Sequence, residues 1–151
     1  MNSPFDILKK NRALILKLID DFTLEQLNKI PEGFGNNIVW NVGHLVVIQQ
    51  ILCYKLSGIP MNISDEMAAK YMKGSKPMGE ISQTEVDEIK ELFINLPYQF
   101  EKDYKASIFK KYEAYTTSLN VTLTDIDSAN TFNNFHEGIH LGVILALKKL
   151  V

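Results

Sequence analysis

The sequence predicts an all-α protein, a four-helix bundle with short additional helices in its connections, on three observations. Apolar residues recur at spacings of three and four over long stretches, helix-start signals stand before those stretches, and none alternates as a strand ladder would. With 151 residues, 46% of them hydrophobic and 23% charged, the chain has the size and balance of a single domain, residues 1–151.

The first helix begins at Ser3-Pro4, with Asp6 in its first turn and Ile7, Leu8, Leu14, Ile15, Leu18, Ile19 and Phe22 along its length. Proline suits that start because the first helical N–H has no partner to lose. Thr23 and Gln26 form a capping box for a short turn through Leu27, which Pro31 closes, and residues 31–37 read as a turn-rich loop. From Asn37 a second long helix runs to about Ser57, where Gly58 and Pro60 stop it. Nearly every face of it is apolar, so it must be covered either by the rest of the chain or by a second copy. A homodimer is expected on that ground.

Residues 62–78 contain one short helix, from near Ser64 to Gly74. Ser82 and Glu85 make the next capping box, opening a helix that carries Val86, Ile89, Phe93, Leu96, Phe100 and Tyr104. Pro97 lies inside that pattern and predicts a kink or a break. Residues 106–120 have no clean period and read as loop or short helix. Thr124, Asp125, Asp127 and Ser128 are N-cap candidates for a last helix to the chain end, with Lys148 and Lys149 in its last turn complementing the dipole.

Sixteen basic against eighteen acidic residues leave a net charge of -2, which offers no cationic field for a phosphate backbone, so nucleic acid is excluded as a partner. The most apolar stretch, residues 38–56, is interrupted by Asn41, His44, Gln49 and Gln50 and reads as a buried helix, not a membrane span. The single cysteine, Cys53, forms no internal disulfide and reads as a small buried hydrophobe. With no signal-peptide pattern after Met1, a cytoplasmic location is expected.

The chemistry lies in the three histidines. His136 and His140 are four apart, so on a helix they differ by about 40° in direction and about 6 Å in height and converge on one point. Phe132, Val143, Leu147 and Leu150 share their face, which turns both imidazoles toward the interior, and His44 stands among apolar residues of another helix. Three neutral imidazoles suit zinc or nickel first, with iron or manganese as alternatives, and leave positions open for water or substrate. The string His136-Glu137-Gly138-Ile139-His140 also matches a metalloprotease helix. No further histidine or glutamate follows to complete such a site, and Glu137 falls on the helix's polar side as a solvated or salt-bridged residue.

The block Asn36-Asn-Ile-Val-Trp-Asn-Val-Gly-His-Leu45, followed by Phe135-His-Glu-Gly-Ile-His-Leu-Gly142, resembles the DinB/YfiT-like metalloenzyme family, and the likeness extends over essentially the whole chain. That resemblance implies a dimeric four-helix bundle whose metal ligands fall on His44, His136 and His140. It also implies a small-molecule substrate and thiol S-transferase chemistry with a low-molecular-weight thiol, some relatives being isomerases or hydrolases. Val143 departs from the polar glutamine that relatives often carry there. Set against this is a non-catalytic bundle that binds a metal or small ligand.

Asn41 precedes His44 by three residues and Asn133 precedes His136 by three, so each is a candidate to orient its histidine or a bound water. Trp40, four before His44, packs in the core or walls the site. Gly138, Gly142 and Ala146 form a ridge of small residues where another backbone is expected to approach closely.

Overall fold

The computed structural model describes residues 3–151. Among them are six α-helices: α1 (Pro4–Ile19), α2 (Leu24–Asn28), α3 (Ile38–Cys53), α4 (Asp65–Tyr71), α5 (Gln83–Lys105) and α6 (Ile126–Leu147). The four long ones pack in the cyclic order α1, α5, α3, α6, and the short ones lie in the connections. Each start is fixed locally. Ser3 with Asp6, Thr23 with Gln26, and Asp125 with Ser128 form reciprocal capping boxes, while Asn37, Ser64 and Ser82 accept from the third helical N–H. A two-residue hairpin, β1 (Tyr115–Thr116) and β2 (Thr122–Leu123), occupies the segment expected to be loop or short helix. It gave no period because two residues are too few to alternate.

Helix α3 is the axis of the molecule. It packs against α5 and α6 and is covered further by α2 and α4, so the chain itself buries all its residues except Ile48 and Ile51. Its apolar character therefore needs no second copy. It ends at Cys53 and passes into a short 3₁₀ turn, Lys55–Ser57, closed by Gly58 in the left-handed conformation at φ 69°. Cys53 is fully buried in a cluster with Leu8, Leu52, Tyr54 and Phe100. Among the described residues, no helix is long and apolar enough to cross a membrane.

One buried cation links all four long helices. Arg12 of α1 is fully buried; its guanidinium donates to Glu137 Oε1 of α6 at 2.7 and 2.9 Å, to the Phe93 carbonyl of α5 at 3.0 Å and to the Leu45 carbonyl of α3 at 3.1 Å. This explains why α5 runs unbroken through Pro97. Proline has no N–H to give the Phe93 carbonyl four residues earlier, and Arg12 supplies the missing donor. Lys148, expected in the last turn of its own helix, instead caps α6 and donates from Nζ to the Leu18 carbonyl at the end of α1, at 2.9 Å. The glycine ridge also departs from expectation: a Cβ at Gly138 or Gly142 meets nothing within 4 Å, and both residues are exposed.

Candidate metal centre

Adjacent packing of α3 and α6 brings the three histidines together. One ring nitrogen from each of His44, His136 and His140 lies within 4.8 Å of the others, and among the described residues the cluster contains these three alone. The ring centroids are 4.5 to 5.2 Å apart. His136 Nε2 and His140 Nε2 face each other at 3.2 Å. Two nitrogens bonded to one tetrahedral ion at about 2.0 Å stand about 3.3 Å apart, so this pair already has the spacing that a shared ion requires.

Two of the rings are held by hydrogen bonds on their far nitrogens. His44 Nδ1 donates to the Tyr71 carbonyl at 2.7 Å, and that carbonyl is free because it stands at the C-terminus of α4. His140 Nδ1 donates to Asn41 Oδ1 at 2.7 Å. Asn41 Nδ2 donates in turn to the Asn37 carbonyl and to Asn36 Oδ1, which fixes the amide so that its oxygen faces the histidine. A neutral imidazole that donates from Nδ1 presents a lone pair at Nε2, so both rings offer Nε2 to the cluster. His136 Nδ1 is buried without a partner.

The supporting asparagines differ from the sequence expectation. Asn41 serves His140 across the helix interface and not His44 on its own helix. Asn133 turns away from His136, its Nδ2 lying 3.4 Å from Glu137 Oε1. Glu137 is salt-bridged, as one of the two readings had it, but buried and not solvated: it is 1% exposed against Arg12 at 0%. A carboxylate engaged by that guanidinium is not free to act as the base of a protease.

Trp40 both packs in the core and walls the site, stacking on the His44 ring at a centroid distance of 4.7 Å and 15° between planes. Gly43 matters for a neighbour on α4: a Cβ there would lie 2.7 Å from the Tyr71 ring. The Tyr71 hydroxyl donates to Glu85 Oε1 at 2.6 Å, so the ring is held from both ends. Burial lowers all three imidazoles; with His44 and His140 as repelling neighbours His136 falls to about 3, and His140 falls to about 4. Neutral rings are the form that binds a metal. Beside His44 and His136 a cleft of about 430 Å³ opens to the surface.

Arg12 is the residue of this region that sequence reasoning missed. Its signal was present, since Leu8, Arg12, Ile15 and Ile19 lie on one helical stripe and a cation inside a core stripe requires a buried partner. A model of the DinB superfamily matches residues 7–144 of the chain. No curated protein matches it.

Proposed function

We propose a function from the premise that this chain belongs to the DinB superfamily: a metal-dependent enzyme of thiol S-transferase type, joining a low-molecular-weight thiol to a small electrophile. The observation that carries it is the trio of imidazoles, two of them held by donation from Nδ1 so that Nε2 is left for the cluster. His44, His136 and His140 would hold a divalent transition metal, zinc or nickel before iron or manganese. Such an ion would lower the pKa of a bound thiol or water and polarise an electrophile. The protein's part is to keep the three rings neutral and oriented and to offer an apolar cleft beside them.

Metal analysis of protein purified without an affinity tag tests the site. About one equivalent of a transition metal in the parent and little in His136→Ala is the expected result. Thiol addition to a chromogenic electrophile, faster than with free metal and thiol, tests the chemistry; metal without that acceleration leaves a non-catalytic metal-binding bundle. Water as the acceptor in the same site would make it a hydrolase.

A homodimer belongs to the same reading, through the outer face of α6 and not through α3. Support comes from Phe135, Ile139 and Leu145, all exposed, flanking Gly138 and Gly142, where an added Cβ would meet nothing within 4 Å among the described residues.

A further inference from the structure

The cleft beside the histidines is built from two chemically different parts. Its walls are apolar, made by Ile48, Ile51, Leu52 and Leu56 from α3 and the turn after it, with Phe132 from α6. Its volume of about 430 Å³ falls in the range of small-ligand sites, which bury an apolar body and place a few polar groups to orient it. Its polar residues beyond the histidines include Lys73, with Tyr115 and Ser118 from the hairpin.

Lys73 is the only charged residue that lines the cleft among the described residues; no aspartate or glutamate does. It follows α4 by two residues and has no carboxylate within ion-pair distance among the described residues, whereas Lys70, three residues before it, is paired with Glu85. Its backbone is well anchored, because Tyr71, two residues earlier, is held at its carbonyl by His44 and at its hydroxyl by Glu85. Lys73 is exposed at the edge of the cleft, and a cation standing there without a counter-ion is complementary to an anion on an apolar ligand. The molecule as a whole carries -2, so its overall field favours cations and any preference for an anion must arise locally.

We propose that this cleft binds a small carboxylic acid with an apolar body, an alkanoate or aryl carboxylate, its carboxylate at Lys73 and its body along Ile48, Ile51 and Leu52. Donors on Tyr115 and Ser118 stand on the same cleft to share the carboxylate. The body then extends toward His44 and His136. This deepens the enzyme reading above, on which it rests only in making the end near the histidines the reactive one; binding of the acid itself requires no metal.

The test uses the full chain stripped of metal by chelation. 1-Anilinonaphthalene-8-sulfonate fills the cleft as a fluorescent probe, and octanoate, octan-1-ol and octylamine compete for it. Octanoate is expected to displace the dye best and octylamine worst. Lys73→Met should weaken octanoate about threefold to fivefold while leaving octan-1-ol unchanged. Ile51→Trp, which fills the cleft, should abolish specific dye binding; Leu56→Trp repeats this from another wall, and circular dichroism with a melting curve shows that each variant is folded.

Equal competition by the acid and the alcohol, unchanged by Lys73→Met, would overturn the anion assignment. Dye binding that survives both folded tryptophan variants, or no displacement by any of the three compounds, would overturn the cleft itself. Running the same titration on His140→Ala, a member of the histidine cluster that does not line the cleft, separates the two readings. Octanoate binding retained there while metal is lost leaves this proposal standing whatever becomes of the metal chemistry, and metal uptake by a parent that ignores octanoate does the reverse.

Discussion

Asn41 and His140, on neighbouring helices and 99 residues apart in sequence, are joined by a 2.7 Å hydrogen bond in which the amide oxygen accepts the Nδ1 proton. The bond leaves Nε2 of His140 as the free lone pair and points it at Nε2 of His136. Removing such an orienting partner typically costs a metal site about 10- to 100-fold in affinity. Asn41→Ala is therefore expected to weaken zinc binding by that order, read by chelator competition, with the ligands themselves intact. An unchanged affinity in a folded variant would show that His140 is held without its amide.

The Arg12–Glu137 pair should behave as a buried charge pair in which the second member makes the first tolerable. Arg12→Met leaves a buried carboxylate unpaired and should cost about 3–5 kcal/mol in urea denaturation. It also leaves the Phe93 carbonyl with no donor, since Pro97 has none to give. Replacing both, as Arg12→Met with Glu137→Gln, should recover part of that loss. A double variant as unstable as the single one would mean that the carbonyl bonds, and not the charge pair, dominate.

Two classes of glycine should respond in opposite directions to alanine. At Gly43 the new methyl group would meet the Tyr71 ring, which is tied down by its hydroxyl, so Gly43→Ala should destabilise the fold by about 1–3 kcal/mol and loosen the Tyr71 carbonyl from His44. Gly138→Ala and Gly142→Ala enter open space on a helix and should each stabilise the monomer by about 0.5–1 kcal/mol. If α6 seats a second copy, the same two changes should weaken self-association in sedimentation velocity. A monomeric parent would remove the dimer.

The metal-free protein should lose stability on mild acidification. Folded His136 and His140 titrate near 3 and 4, against about 6.5 in an unfolded chain, so between those limits the unfolded state binds protons that the folded state refuses. The stabilisation is complete above about pH 6.5 and drains away as the pH falls toward 4. Melting temperatures measured from pH 7.5 down to 4.5 should fall more steeply for the parent than for His136→Gln. Parallel curves would refute the assignment.

What was legible in the sequence was what neighbours on the chain decide. Asp125 stood among four neighbouring candidates and the start at Ser3 was marked by the Pro4 that follows it, while the caps at Thr23 and Ser82 were readable because cap and partner lie three residues apart. The His136 and His140 pair was readable for the same reason, one helical turn apart. The third histidine of the cluster, His44, emerged from its apolar setting and from the Trp40 to His44 motif. Hidden from that reading was whatever a neighbouring helix supplies. Asn41 lies on roughly the face of His44, yet bonds to His140, which the packing of α3 on α6 brings to 2.7 Å from its oxygen. Pro97 signals an interruption, and the donor that repairs it, Arg12, lies 81 residues from the Phe93 carbonyl it serves. A ridge of glycines marks an approachable surface without saying who approaches.

Cys53 gives the molecule an internal reporter. Its sulfur is fully buried, and desolvation pushes its thiol well above the usual range, so the reactive thiolate is suppressed in the folded state. A colorimetric reagent added to a transfer assay therefore counts only the thiol supplied as substrate, with no background from native protein. Since the chain has a single cysteine, the dye it takes up under denaturing conditions, one per chain at completion, measures directly how many molecules have opened.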